Sequence, residues 1–419
     1  MEVIHISPSY KPAYEYGGPT MSVSQLCEQM QKCGLKLQVL TTTANGAAEL
    51  AVSTGIRYMV AGVPVKYFSR ITGDHSHLSP GLCFHLLQVV WRARKHKAHF
   101  IIHIHSWWNL VAILSCLVAR VFKLTVVVSP RGMLTTYSFE HKKSMLKRCL
   151  HIFLGSWLLK GSHLHATSEK EKSDILAYVK PKTINVLPNL IDLPAVTTRP
   201  AMPVIKALPA ILAVKDTQPI SPISTIQAMP ANAENFKPST PFKLLFFSRI
   251  DKKKGVELLL RAVASLKVDY TLTIAGTGPA AYIEELQELT TALGIRKHIH
   301  WTGHVSNRDK YEMFNKHDLL VLASYNENFA NVVIESLAVG TAVLVSEKVG
   351  LADYIIATQL GWVSSLEAAD LAMQIEAISN QKEILTQIRL DGPTRIEDDF
   401  HRQVLAAKYM DFYKQLLVS

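Results

Sequence analysis

Two series of short apolar runs are the feature that most constrains how this chain can fold. The first series lies at residues 3–7, 37–42, 100–105, 124–129, 163–167 and 184–187, and the second at 243–248, 270–275, 298–302, 318–323 and 342–346. Longer stretches with helical spacing separate the runs, which is typical of a doubly wound parallel sheet. The sequence therefore predicts an α/β protein with two Rossmann-like domains in tandem.

The chain length supports two domains, because 419 residues exceed what one hydrophobic core usually organises. We predict an N-terminal domain over 1–193 and a C-terminal domain over 242–400. The segment 194–241 between them contains nine prolines and no sustained periodicity, which favours a flexible linker or insertion. Residues 401–419 have apolar positions at roughly helical intervals and predict a closing amphipathic helix.

Composition excludes several classes of protein. A 48% hydrophobic and 19% charged content excludes a disordered chain. Five cysteines without a C-x-x-C pair disfavour a disulfide framework or a zinc site. The first residues lack the pattern of a signal peptide, and Arg120 and Lys123 interrupt the longest apolar stretch. We expect a cytoplasmic protein, with peripheral contact to the inner face of the cell membrane left open.

The positive charge of the chain is concentrated in its first half. Residues 1–193 contain 22 Lys and Arg against 10 Asp and Glu, whereas residues 194–419 contain 23 against 24. This asymmetry indicates an anionic partner such as nucleic acid, an acidic membrane surface or a phosphate-bearing substrate, or else a basic surface that only aids solubility. The basic and apolar segment 141–160 could equally lie on an anionic membrane or pack within its domain.

The loops that follow the predicted strands are the expected place for a ligand in this architecture. After the first strand, Gly17, Gly18 and Pro19 precede a helix, where main-chain N–H groups can approach a phosphate closely. The same residues also form ordinary turns.

A basic loop follows the strand at 243–248. Arg249 and Lys254 in this loop would direct two cations into one cleft, as a diphosphate requires, whereas Lys252 and Lys253 are expected to be solvated. The next loop, Gly-Thr-Gly-Pro at 276–279, lacks the third glycine of the dinucleotide fingerprint and is interpreted as a tight turn.

Two glutamates bracket a predicted helix N-terminus after the strand at 318–323. Glu327 lies in the loop and Glu335 about two helical turns further on, while the N–H groups near Asn331 and Val332 favour a phosphate. Carboxylates on either side of an anion site suit a sugar nucleotide, because one can accept hydrogen bonds from sugar hydroxyls and the other from a ribose diol.

Together, the Gly-Gly-Pro loop, the Ser-Arg-Ile-Asp-Lys-Lys-Lys-Gly loop at 248–255 and the Glu-x7-Glu pattern resemble the retaining glycosyltransferases of family four. The resemblance implies the GT-B fold, in which two Rossmann-like domains face a central cleft. It also implies that Arg249 and Lys254 bind the donor diphosphate, Glu327 contacts the transferred sugar and Glu335 holds the nucleotide ribose. Gly17 and Gly18 would close over the phosphates from the N-terminal domain.

The resemblance also suggests functions for two N-terminal residues. The family places a histidine at the end of an N-terminal strand, which corresponds to His105 and implies a position near the anomeric carbon. A lone histidine is more often structural, which is the alternative for His105. His103, earlier on the same strand and on the same face, could instead be a packed histidine. The Ser-Pro-Arg-Gly-Met-Leu run at 129–134 is similar to transferases of cell-surface polysaccharide assembly, which makes Arg131 a candidate to bind the acceptor or a phosphate.

We therefore expect a retaining, metal-independent glycosyltransferase with a nucleotide-sugar donor, UDP- or GDP-linked, and a saccharide or lipid-linked saccharide acceptor. No cofactor, metal or nucleic acid is expected, since the chain has no Asp-x-Asp motif and two cations already face the phosphates. Ala330 departs from the family pattern, in which glycine is common. The alternatives are a nucleotide-sugar epimerase of the same fold and a non-enzymatic basic binding protein.

Overall fold

The structure is a computed structural model that describes residues 1–74, 76–96, 99–140, 154–194 and 241–418. The predicted linker lies outside the described residues except for residues 194 and 241. The predicted basic segment 141–160 is described only from residue 154 onward.

The N-terminal domain contains an eight-stranded sheet in the order β10-β9-β8-β7-β1-β2-β6-β5. Only the edge strand β5 is antiparallel to its neighbour. The strands are β1 (Glu2–Ser7), β2 (Lys36–Thr42), β5 (Arg57–Val60), β6 (Val63–Phe68), β7 (Ile101–His105), β8 (Thr125–Ser129), β9 (His163–Ala166) and β10 (Thr183–Val186), and a separate small hairpin pairs β3 (Ala44–Asn45) with β4 (Ala48–Glu49).

The strands between residues 44 and 68 are absent from the sequence prediction, which placed a helical stretch there. β5 and β6 are joined by a tight turn in which Ala61 and Gly62 both have positive φ, at 48° and 82°. Two consecutive positive φ angles match the twist of a hairpin. The alternation of buried Val63, Val65 and Tyr67 along β6 is the period-2 signal that could have identified this strand.

The C-terminal domain contains a six-stranded, fully parallel sheet in the order β13-β12-β11-β14-β15-β16. Its strands are β11 (Phe242–Phe247), β12 (Tyr270–Ala275), β13 (Ile299–Gly303), β14 (Leu319–Leu322), β15 (Ala342–Ser346) and β16 (Gly361–Ser364). Five of them match the predicted second series, and β16 was not predicted. The expectation of two tandem Rossmann-like domains is confirmed.

Helices cover both sheets. They are α1 (Gly18–Lys32), α2 (Pro80–Lys95), α3 (Leu110–Val121), Thr136–Glu140, Ser156–Lys160, Glu169–Leu176, Val256–Val263, Ala280–Ala292, Lys310–Asn315, Asn331–Leu337, Ala352–Thr358, Ala368–Ser379, Lys382–Phe400 and Arg402–Val418. None of the helices among the described residues is both long and apolar enough to cross a lipid bilayer.

The central strands are buried on both faces, which explains why their sequences are continuous apolar runs. All five residues of β7 are buried, for example, and side chains of successive residues enter different cores. The final helix, Arg402–Val418, returns to the N-terminal domain and packs against α1. It therefore brings Tyr409 and Tyr413 against the N-terminal sheet at its cleft end.

Candidate functional site

The basic loop of the C-terminal domain has a defined conformation. Asp251 caps the short 3-10 helix Lys252–Lys254, its Oδ1 accepting a hydrogen bond from the Lys253 N–H at 2.9 Å. Gly276 and Gly278 of the next loop lie directly against this one, since a Cβ on Gly276 would stand 1.8 Å from the Ser248 carbonyl oxygen. Only glycine permits so close an approach, so the two loops fix the backbone on either side of Arg249.

Lys254 and Glu327 form an ion pair at the floor of the cleft. The Lys254 ammonium donates to Glu327 Oε2, and the two side chains are only 15% and 19% exposed. Burial alone would raise the pKa of the Glu327 carboxyl. The neighbouring Lys254 ammonium, with Lys253 and Arg249, outweighs burial and holds that pKa below its usual value.

The two neighbouring lysines differ in environment, contrary to the prediction that both are solvated. Lys252 is 76% exposed and lies 3.9 Å from Glu285. Lys253 is instead partly buried, with its ammonium 5.3 Å from the centre of the Tyr137 ring in the N-terminal domain. Burial lowers the pKa of Lys253, and the Glu327 carboxylate opposes this effect. The site therefore concentrates positive charge around one carboxylate.

Glu335 is the second predicted carboxylate, and it lies in the helix Asn331–Leu337. Its Oε1 accepts a hydrogen bond from Lys310 Nζ at 2.8 Å, with side-chain exposures of 14% and 11%. The sequence interpretation missed Lys310, because nothing in the local pattern near residue 310 links it to Glu335. Both carboxylates are thus present where the Glu-x7-Glu spacing put them, and each is neutralised by a lysine.

The two domains meet at this site. A Cβ on Gly17 would lie 3.7 Å from Arg249 Cδ, so the Gly-Gly-Pro loop faces the basic loop across the cleft, while nothing lies within 4 Å of the equivalent position on Gly18. Asn331 Nδ2 also donates to Ser22 Oγ on α1 at 3.1 Å. Gly17 is therefore brought to Arg249, and Asn331 to the helix α1 that begins beside Gly17. Val332 follows Asn331 in the first turn of its helix.

The loop that carries Glu327 is also clamped to the N-terminal domain by its neighbours. Asn326 donates to Thr135 Oγ1 at 3.1 Å, and Asn328 donates to Thr167 Oγ1 at 2.7 Å. Ala330 has a left-handed conformation with φ of 67° as it begins the helix at Asn331, a conformation usually given to glycine. Alanine at residue 330, where the family pattern commonly has glycine, therefore adopts a positive φ in this chain.

Arg131 connects the N-terminal residues to this site. Its Nη1 donates to Asn189 Oδ1 at 2.9 Å, and Asn189 Nδ2 donates to Asn331 Oδ1 at 3.0 Å. Its Nη2 contacts His105 Nδ1 at 3.4 Å, and its Nε–H is buried without a partner among the described residues. Arg131 and His105 therefore lie on the N-terminal side of the cleft, and Asn189 connects Arg131 to the helix Asn331–Leu337.

His105 is fully buried, and both of its ring nitrogens are hydrogen-bonded. A guanidinium can only donate, so His105 Nδ1 is the acceptor and its Nε2 carries the proton. That Nε2–H donates to His5 Nδ1 at 2.9 Å, and the two rings are stacked. His105 stands at the predicted strand end, but its predicted catalytic contact with substrate requires one of these hydrogen bonds to open.

A second chain of hydrogen bonds runs from the final helix through the sheet. The Leu187 carbonyl accepts from His165 Nε2–H at 2.9 Å, so His165 Nδ1 must accept from the Ser129 hydroxyl at 2.6 Å. Ser129 Oγ in turn accepts from His103 Nε2–H at 2.7 Å, and His103 Nδ1 accepts from the Tyr413 hydroxyl at 2.7 Å. His103 is the packed histidine that the sequence offered as an alternative.

The four histidines are uncharged at neutral pH. Burial, with a smaller contribution from Arg131, lowers the pKa of His5 and of His165 to about 3. Burial likewise places the pKa values of His103 and His105 well below the usual value. One ring nitrogen from each of His5, His103 and His105 lies within 4.8 Å of the others, a spacing that could hold a metal ion. Hydrogen bonds already occupy most of these nitrogens, and the neighbouring Arg131 guanidinium would repel a metal cation.

Comparison with known proteins identifies the two domains. Residues 17–189 match the model of the glycosyl transferase 4-like domain, and residues 230–393 match that of the glycosyl transferases group 1. The two ranges together span about four fifths of the chain, and they support a family-four-like protein. The match does not bear on whether sugar transfer retains the anomeric configuration.

Curated relatives align with only part of this chain. A D-inositol 3-phosphate glycosyltransferase of Arthrobacter sp. (strain FB24) is 32% identical over 147 residues, which cover 34% of this chain and 35% of the relative. The lipopolysaccharide core biosynthesis glycosyltransferase LpsD of Rhizobium meliloti is 25% identical over 193 residues, which cover 44% and 52%. The first of these alignments thus spans about a third of the relative's length.

Solved structures align over nearly the whole chain. Anabaena HepE in complex with UDP has a TM-score of 0.67 at 17% identity and covers 99% of this chain and 100% of its own. Sucrose-phosphate synthase from Thermosynechococcus elongatus has a TM-score of 0.68 at 17% identity, with full coverage of both chains. At this identity the likeness concerns the fold, and it confirms the predicted GT-B architecture.

Proposed function

Since the chain is a GT-B protein built from a glycosyl transferase 4-like domain and a glycosyl transferases group 1 domain, we propose that it transfers a sugar from a nucleoside-diphosphate sugar to a saccharide acceptor. The observation that carries the proposal is the juxtaposition of Arg249, the Lys254–Glu327 pair and the Gly17 loop at one cleft. Such a set of cations, with glycine on the opposite wall, suits a diphosphate.

The donor phosphates would bind Arg249 and Lys254. Charge develops on the leaving diphosphate as the bond from the anomeric carbon to the phosphate oxygen breaks, and fixed cations stabilise that charge. Glu327 would accept hydrogen bonds from the transferred sugar, and Glu335 from the ribose. Removing one such cation should slow turnover about 100-fold to 1000-fold.

We further propose retention of configuration by attack on the face that the leaving group occupies. The acceptor hydroxyl oxygen bonds to the anomeric carbon while its proton passes to an oxygen of the departing diphosphate. Arg131, on the N-terminal side, would bind the acceptor. His105 would orient Arg131 through their hydrogen bond or reach the sugar once its bond to His5 opens.

For the donor we propose a UDP-sugar first and a GDP-sugar second. The structurally similar HepE is described in complex with UDP and with UDP-glucose, which supports the uracil nucleotide. For the acceptor we propose a lipid-linked saccharide of cell-surface polysaccharide synthesis. LpsD, a lipopolysaccharide core biosynthesis glycosyltransferase, supports that class. No metal is required in this scheme, because cationic side chains already neutralise the phosphates.

A thermal-shift series with UDP, GDP, ADP and CDP tests the donor site. A matching nucleotide at a hundredfold excess over Kd stabilises the native state by about 2.7 kcal/mol. Lys254→Met should abolish the shift, whereas Lys252→Met in the same loop should preserve it, because Lys252 is 76% exposed. If no nucleotide stabilises the protein, or both variants respond alike, the proposed donor site is wrong.

Incubation with the matching nucleotide sugar distinguishes the reaction classes. A transferase releases the nucleoside diphosphate and gives a product whose anomeric configuration NMR can compare with that of the donor. An epimerase would instead convert the donor sugar when no acceptor is present. An isomerised sugar in the mixture without acceptor would show an epimerase and refute the proposed transferase. A product with inverted anomeric configuration would refute retention.

A further inference from the structure

A row of exposed apolar side chains lies on the outer face of the N-terminal domain. Phe84, Leu87 and Trp91 follow one another at helical spacing along α2 and are 63%, 38% and 65% exposed. The opposite side of α2 is already buried in the core through Leu82, Leu86 and Val90. A helix that packs on one face normally presents polar residues on the other, so this second apolar face indicates a partner.

Exposed apolar side chains also occur on two helices that follow α2 in the chain, α3 and Ser156–Lys160. The Arg94 guanidinium lies 5.1 Å from the centre of the Phe122 ring at the end of α3, and the Arg120 guanidinium lies 5.3 Å from the Trp157 ring. Val121 and Trp157 are themselves 62% and 46% exposed. The two guanidinium contacts join α2 to the end of α3 and α3 to the helix Ser156–Lys160. We call the exposed apolar side chains of these three helices the outer patch, which consists of Phe84, Leu87, Trp91, Val121 and Trp157.

The charge around the outer patch has a single sign. The three helices that carry the outer patch, α2, α3 and Ser156–Lys160, contain no acidic residue. The cations at the ends of these helices form no ion pair with any other residue that the structure describes; they are Arg92, Arg94, Lys95, Arg120, Lys123 and Lys160. Unpaired cations around an apolar surface select an anionic partner that also has an apolar layer.

We propose that the outer patch docks on an anionic lipid bilayer. Trp91 and Trp157 would lie at the headgroup level, where tryptophan is enriched, and Phe84 would reach the boundary of the acyl chains. The adjacent cations would approach the lipid phosphates. The inference rests on the proposed function, because an enzyme with a lipid-linked acceptor works at a membrane surface.

The dimensions of α2 are compatible with a helix that lies along the membrane surface. α2 has 16 residues, so it is about 24 Å long, and Phe84 and Trp91 are about 10 Å apart along its axis. Lys95 follows Trp91 by one turn on the same side, so a helix lying along a membrane would place both aromatic rings and this cation on it together. Nucleic acid would pair with the cations but would leave Phe84, Leu87 and Val121 in water.

Flotation with lipid vesicles tests the proposal. The full chain should float with phosphatidylglycerol vesicles and remain unbound with phosphatidylcholine vesicles, and added salt should weaken the binding. The double variant Phe84→Ser/Trp91→Ser should bind at least about 30-fold more weakly. The control Ile356→Ser/Met373→Ser removes side chains of similar exposure, 56% and 61%, from the C-terminal domain and should bind as the unchanged chain does.

Three results would overturn the proposal. The first is equal binding to both kinds of vesicle, and the second is unchanged binding by the Phe84/Trp91 variant. The third is a dimer, seen by sedimentation without vesicles and lost in that variant, since it would make the outer patch a contact between two copies. Stabilisation by UDP is measured on the same samples, so a failed membrane surface can be told apart from a failed donor site.

Discussion

Replacing Lys254 by methionine separates the charge of the cleft from its packing. The change keeps most of the apolar stem and removes the ammonium that pairs with Glu327, whose side chain is 19% exposed. Removing one partner of a buried ion pair typically costs 3 to 5 kcal/mol, because the other charge stays buried. Lys253 and Arg249 still act on Glu327, so we expect the lower end, about 3 kcal/mol.

The second variant, Glu327→Gln, completes a double-mutant cycle. The double variant Lys254→Met/Glu327→Gln leaves neither charge of the pair buried alone, so its loss in free energy of unfolding should be smaller than the sum of the two single losses. A coupling of about 2 kcal/mol between the two sites is expected from urea denaturation of all four proteins. Transferase activity should not return, since the cation that faces the phosphates is still missing.

The pH dependence of the free energy of unfolding provides a further test of the Lys254–Glu327 pair. In the unchanged protein the folded-state pKa of Glu327 lies below the ordinary value of 4.5, so its stabilising contribution is present above pH 4.5 and is lost as the pH falls through the folded-state pKa. Without Lys254, burial should raise that pKa above 4.5. The penalty of Lys254→Met should therefore be largest at neutral pH and shrink on acidification.

The reasoning would be refuted by two observations. One is a Lys254→Met protein within about 0.5 kcal/mol of the unchanged chain at neutral pH, which is the range of ordinary surface substitutions. The other is a double variant whose loss equals the sum of the single losses.

Three further predictions concern one backbone contact and the buried hydrogen bonds. Gly276→Ala would bring a Cβ to 1.8 Å from the Ser248 carbonyl oxygen, so the loop must shift. We expect the free energy of unfolding to fall by about 3 kcal/mol and UDP to bind more weakly. An unchanged urea denaturation curve would contradict this expectation. Tyr413→Phe removes the hydroxyl that donates to His103 Nδ1 and should cost about 2 kcal/mol. Nitrogen-15 NMR of the unchanged chain should show the proton of His103 on Nε2, and a proton on Nδ1 would disprove the deduced direction of the chain.

Much of the fold follows from the sequence because parallel strands buried on both faces leave a local signal. The apolar runs at 270–275 and 342–346 coincide with β12 and β15, and most other predicted strands differ from the structure by one residue at an end. β5 and β6 were missed because their partly exposed, alternating pattern is weaker than a continuous apolar run. The basic loop and the Glu-x7-Glu spacing could also be predicted, because each lies within one short segment of the sequence.

Contacts between distant residues were decided only by the tertiary structure. Lys254 lies 73 residues from Glu327, and Tyr413 lies 310 residues from His103, so neither pair leaves any pattern along the chain. His5 and His103 are neighbours because β1 and β7 pair in one register, which the sequence does not encode locally. The amino-acid sequence by itself determined which chemical groups the protein contains. Which of these groups carry a charge in the cleft was decided by the tertiary structure, because charge depends on burial and on neighbours that are distant along the chain.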